Sequence, residues 1–183
     1  MNHVNSPHPL VTYLRRAQDP AGGDRALLAV LRRSLGQAPG DDLRAVARLE
    51  GLIVRLQGEQ ALGGERQRRH AYLVAGLLAW CRTPGTDNLA SLGHCLAQLC
   101  LSSNRDKQDS VERRLAHLVD ADEEQLPMLL RATVRLLDQA EIVPDFSLLL
   151  RQLDAWNHPD RWVQRRWLRD FHHSLSTDRD DAA

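Results

Sequence analysis

Strand-forming patterns are nearly absent from this 183-residue chain: β-branched residues are sparse and no alternating apolar–polar run reaches strand length. Sheet-based folds are thereby set aside. The short motifs of common chemistry are missing as well, with no Walker loop, no G-x-S-x-G, no H-E-x-x-H and no dinucleotide fingerprint. The acid pairs Asp41-Asp42 and Asp180-Asp181 fall in loop or tail contexts without a histidine nearby in sequence. A metal-dependent nuclease would need clustered carboxylates, so an enzyme is the weakest reading. No apolar run is long enough to span a bilayer and no signal peptide is evident, so a soluble, cytoplasmic protein is expected.

Cysteine is scarce and odd in number. Cys81, Cys95 and Cys100 lie within apolar helical patterns, which predicts buried, reduced thiols. His94 beside Cys95 and Cys100 does not make a zinc site, because five helical residues turn the two thiols roughly 140° apart. Four convergent ligands are lacking. Neither metal nor cofactor nor small-molecule substrate is expected.

Lysine is almost missing too: Lys107 is the sole lysine among 24 basic residues, balanced by 24 acidic ones. Neutrality argues against a wholly basic coat protein. The balance is uneven, however, since residues 1–101 carry a net +4 and residues 102–183 a net −4. The arginine bias fits genomic base composition as readily as selection for planar phosphate forks. Polyanion binding would have to come from local patches.

What the chain does contain is helical periodicity throughout. The expected class is all-α, a bundle of about nine helices in two small lobes, 1–101 and 107–175, with a frayed tail over 176–183. Leu27, Leu28, Leu31 and Leu35 mark one helix opened by Asp24 and ended by Gly36. Leu43, Val46, Leu49, Ile53 and Leu56 mark the next, and Leu73, Leu77 and Trp80 are read as the buried stripe of a third. Thr83 to Asp87 breaks the chain, and Ser102 to Asp106 is the candidate link between lobes. Asp122 with Gln125 resembles a capping box. Asp145 caps a later helix, and the last one starts near Pro159 with Val163, Trp167 and Phe171 inward.

Three arginine doublets stand out: Arg32-Arg33, Arg113-Arg114 and Arg165-Arg166. At about 100° per residue Arg33 and Arg113 point away from their apolar stripes. Arg25 shares a flank with Arg32, and Arg114 lines up with Lys107. Arg161, Arg165, Arg166 and Arg169 share the face opposite Val163, Trp167 and Phe171, with Trp162 among them. Guanidinium groups interleaved with an indole suit a single strand, through neutralised phosphates and stacked bases. The same pattern also describes a solvated helix face, with Trp162 as a protein-interface anchor. A purely structural adaptor joining subunits is therefore the second reading.

Several blocks, in order, resemble the CasB family, the small subunit of the type I-E CRISPR Cascade complex. They are GDRALLAVLRRSLG from Gly23 to Gly36, YLVAGLLA from Tyr72, NLASLG from Asn88 and SVERRL from Ser110. PDF at Pro144, LDAW at Leu153 and RWLRDF at Arg166 complete the series, and the likeness runs from about Val11 to His172. The segment from Gly36 to Arg69 is only loosely similar. The resemblance implies a non-catalytic subunit, present as a pair in a crRNA-guided antiviral complex, beside the large subunit and the backbone subunits that coat the guide RNA. It implies stabilisation of opened target DNA, as single strand or R-loop. Arg32, Arg33, Arg113, Arg114, Arg165, Arg166 and Arg169 match basic positions of the family, while Lys107, Arg25, Arg161 and Trp162 are additions from the helical wheel.

Overall fold

The computed structural model describes residues 7–82, 89–103 and 105–181, without the side chains of 105–107 and 178–181. Local chemistry starts most of the helices. The Asp24 carboxylate accepts from Leu27 N at 2.8 Å and so opens α2 (Arg25–Ser34). Asp42 does the same for α3 (Leu43–Gly58), Ser91 for α5 (Leu92–Leu101) and Asp145 for α8 (Phe146–Asp154). Each cap satisfies a backbone N–H that has no intrahelical partner. The remaining helices are α1 (Pro9–Ala17), α4 (Glu65–Trp80), α6 (Arg105–Asp120), α7 (Leu126–Gln139) and α9 (Trp162–Asp181). Every regular element among the described residues is helical.

α4 is the axis of the molecule. From His70 to Ala79 every residue is buried, so the helix is covered on all sides, as its even hydrophobicity requires. α1, α2, α3, α7 and α8 all pack on it. Gly76 permits the closest of these approaches, since a Cβ there would lie 2.7 Å from Leu35 Cδ2 and 3.2 Å from the Leu31 carbonyl. That fit fixes the C-terminal turn of α2 against the end of α4.

A second set of contacts gathers α5, α6 and α9. The α5–α9 pair is the most extensive in the molecule, and Gly93 is the reason. A Cβ at Gly93 would stand 2.0 Å from the Trp167 carbonyl oxygen, so only glycine lets the two backbones meet. Ser91 Oγ donates to Asp170, and His94 Nδ1 lies 2.8 Å from Ser174 Oγ along the same seam. The core is continuous from Leu10 to Phe171. α5 packs most extensively on α9 and next on α6.

Asp145 ties the two sets together. Its Oδ1 accepts from Leu148 N at 2.9 Å, its Oδ2 from Leu89 N at 3.2 Å, and its own N donates to the Ala90 carbonyl at 3.3 Å. One buried carboxylate thus caps α8 and holds the approach to α5.

Two sequence expectations are corrected. The final helix begins at Trp162 rather than near Pro159, because Arg161 takes φ 47° and ends the preceding turn. That helix is described to Asp181, and Ser176 and Thr177 return their hydroxyls to the His173 carbonyl. Trp80 is 39% exposed, because the stripe it shares with Leu73 and Leu77 outruns the core at the end of α4. The Asp122 carboxylate does accept from Gln125 N at 2.8 Å, but α7 starts only at Leu126. The expected break from Thr83 to Asp87 lies outside the described residues. No helix among the described residues is long and apolar enough to cross a membrane.

Candidate nucleic-acid interface

The C-terminal turn of α2 carries Arg32 and Arg33 to the C-terminal end of α4. Arg32 Nε donates to the Ala79 carbonyl, one of the end groups that α4 cannot satisfy itself. On the other side of α4, α7 presents Met128, Arg131, Ala132 and Arg135 at helical spacing. The result is a groove of about 480 Å³ with α2 and α7 as walls and Leu77 and Trp80 from α4 between them. The Arg135 guanidinium stands 6.0 Å from the centroid of the Trp80 indole. Beyond the indole the groove opens toward Arg82, Asp138 and Gln139.

Charge here is one-sided. Arg32, Arg33, Arg82, Arg131 and Arg135 line the groove and its mouth, against a single acid. That acid, Asp138, is buried and already accepts from Arg82 N at 2.9 Å and Arg82 Nε at 3.3 Å. Positive charges gathered on low-dielectric walls focus the field on an incoming anion. Each guanidinium can also hold a phosphate through two parallel N–H bonds.

The other predicted arginines sit elsewhere. Arg165, Arg166 and Arg169 are exposed on α9, opposite the buried Val163, Trp167 and Phe171, as the wheel placed them. Arg166 leans on Asp170 at 3.6 Å, whereas Arg165 and Arg169 have no ion pair among the described residues. Trp162 is 39% exposed on the same helix. The Arg161 guanidinium donates to the Val119 carbonyl at the end of α6. Arg113 is exposed and bonds its own helix at Asp109 O, 3.2 Å away. Arg114 is half-buried, and its shielded Nε finds no partner among the described residues. α6 and α9 pack on each other. Arg25 is exposed at the far end of α2, next to the Asp24–Arg48 pair. The side chain of Lys107 lies outside the described residues.

Of the groove's lining, the sequence singles out Arg32 and Arg33 but not Arg82, Arg131, Arg135 or Trp80. The available signal was the four-residue spacing of Arg131 and Arg135, flanking the buried stripe of Leu130, Val134 and Leu137. The cysteines play no part. Cys81, Cys95 and Cys100 are buried and unbridged, and burial pushes the Cys81 and Cys95 thiols up to about 12.

Residues 27–172 match the family model for CRISPR-associated protein Cse2. A CRISPR-associated protein Cse2 of Thermus thermophilus is 33% identical over 147 residues, which span 80% of this chain and 79% of that protein. The crystal structure of M. ruber CasB superposes with a TM-score of 0.78 at 34% identity, covering 95% of this chain and 96% of the other. A chain of a CRISPR RNA-guided surveillance complex gives a TM-score of 0.74 at 26% identity, over 95% and 99% of the two chains.

Proposed function

The chain belongs to the CRISPR-associated Cse2 family, and from that premise we propose that it is the non-catalytic small subunit of a type I-E surveillance (Cascade) complex. In that setting it grips nucleic-acid backbone without sequence preference and stabilises the crRNA–target R-loop. The observation that carries this is the ring of arginines around Trp80, whose one acid is buried and engaged. Such a surface offers donors to phosphates, and contacts to phosphate carry no sequence information. That is what a guide-programmed machine requires, because pairing reads the sequence. R-loop formation exchanges one duplex for another of similar stability, so a few backbone contacts tip it. The partners are the backbone and large subunits, a second copy of this chain, guide RNA and opened DNA, in the cytoplasm.

A salt titration of labelled single-stranded oligonucleotides of unrelated sequence, against the full chain, tests the grip. With about six phosphate contacts, log K falls with log salt at a slope near −4, from roughly 0.7 per contact. A slope near zero removes the proposal.

A second reading draws on α9, where the exposed apolar Trp162 and Leu168 lie among the arginines. An exposed indole suits a protein neighbour, and the chain then joins subunits while its arginines stay solvated. Reversing Arg33 and Arg131, which line the groove, to Glu separates the two. An adaptor assembles and supports target binding as before; a clamp assembles and loses target DNA.

A further inference from the structure

We propose that Trp80 is a platform for one unpaired base, which makes the α2–α4–α7 groove a seat for a single-stranded nucleotide rather than for duplex backbone. The proposal rests on the nucleic-acid reading above and goes beyond charge neutralisation.

The indole is out of place as a structural residue. Every other residue of the last ten in α4 before it is buried, yet Trp80 leaves 39% of its surface in solvent. It also has cationic neighbours. Arg135 stands over the ring, and Arg32 secures the adjacent Ala79 carbonyl from the α2 side. Leu35, Leu77, Val134 and the exposed Met128 supply apolar lining within the same groove. An aromatic beside apolar side chains, rimmed by guanidinium groups, is the composition of a stacking site on a single strand.

Duplex nucleic acid cannot use it. The π-faces of paired bases are covered by their neighbours, and baring one costs a few kcal/mol of unstacking. An indole in this position adds affinity only for a base already free. Arg33 and Arg131, which line the same groove, are the donors available to its flanking phosphates. An acidic peptide is the less suitable occupant. Its backbone N–H groups need acceptors, and near the indole Asp138 is taken by Arg82 and the Ala79 carbonyl by Arg32, which leaves the Gln139 amide oxygen to serve a whole peptide backbone. A phosphodiester carries acceptors only.

The test compares a labelled oligo-dT with an abasic oligomer of equal length and phosphate number, each titrated against the full chain and against W80A, W80F and W162A. The full chain should prefer oligo-dT by about fivefold to 150-fold, the range one stacked base contributes. W80A should abolish that preference while retaining the salt-dependent binding of the abasic strand. W80F keeps a ring and should restore most of it, which excludes misfolding as the cause. Equal binding of the two oligomers by the full chain overturns the base seat and leaves the phosphate grip standing. A preference that survives W80A, or that vanishes in W162A instead, overturns it too. No binding of either strand at low salt removes this proposal and the nucleic-acid reading together. Tighter binding of a polyglutamate peptide carrying one leucine would give the groove to a protein segment and overturn the seat.

Discussion

Trp156 and Trp167 meet with ring centroids 5.1 Å apart and planes inclined at 49°. Both indole N–H groups are spoken for, Trp156 Nε1 by the Ala121 carbonyl at 3.1 Å and Trp167 Nε1 by Gln152 Oε1 at 2.8 Å. The pair therefore joins four places: the turn after α8, the second turn of α9, the turn after α6 and the last turn of α8. An aromatic pair of this kind adds about 0.5–1.5 kcal/mol beyond its buried area, and burying both rings without partners for nitrogen would be costly.

Replacing Trp167 by Ala should destabilise the protein by about 3–5 kcal/mol, the usual range for a buried aromatic. Trp167→Phe keeps a ring but strands Gln152, and should cost less, about 1–3 kcal/mol. Urea denaturation of the two variants checks the order.

Glycine to alanine should act oppositely at two helical positions. At Gly93 the new methyl would collide with the Trp167 backbone, which cannot rotate away, so G93A should lower stability by about 1–3 kcal/mol or more. At Gly51 in α3 a Cβ meets nothing within 4 Å, so G51A should raise it by about 0.5–1 kcal/mol. Thermal melts of the pair give the signs directly.

Among the arginines, binding and stability should separate. R131A and R135A should each take roughly 0.7 off the salt slope for single-stranded DNA while leaving the melt unchanged. R161A should do the reverse, because that side chain serves the Val119 carbonyl. A slope change in R161A equal to that in R131A would show that Arg161 also reaches phosphate.

How much of this was legible beforehand depended on how local the signal was. Caps at Asp24 and Asp145 and the leucine stripe of α2 follow from spacing within a dozen residues, and the structure has them. The inward row Val163, Trp167 and Phe171 was equally plain. Trp80 was not, because its wheel position matches buried Leu73 and Leu77, and only the surrounding helices decide where the core stops. The groove escaped for the same reason. Arg33 and Arg131 become neighbours through two separate packings on α4, one of them dependent on Gly76, and no spacing along the chain encodes that meeting.

Alkali should unfold this protein through its thiols. Burial, followed by the charges of Asp138 and Asp145, raises Cys81 and Cys95 from 9.0 to about 12 in the folded state. A raised folded value means that the unfolded chain loses its protons first. The stability due to these thiols is thus complete below about pH 9 and declines as pH rises toward 12, by up to about 1.4 kcal/mol per thiol per pH unit. Urea midpoints measured from pH 8 to 11 should fall through that window, and fall less in C81A/C95A. At pH 8 a maleimide should label neither cysteine until denaturant is added.

The seam between Gly93 and Trp167 also sets a clock for synthesis. α5 ends at Leu101, and the helix that covers it begins at Trp162, roughly sixty residues later. A ribosome adding about 5–20 residues per second needs on the order of 3–12 s to deliver even the first turn of that cover. Throughout that interval Leu92, Cys95, Leu96 and Leu99 have no α9 to lie against. α5 is therefore an early-made helix that matures last, and the nascent chain spends those seconds with an apolar face awaiting residues not yet translated.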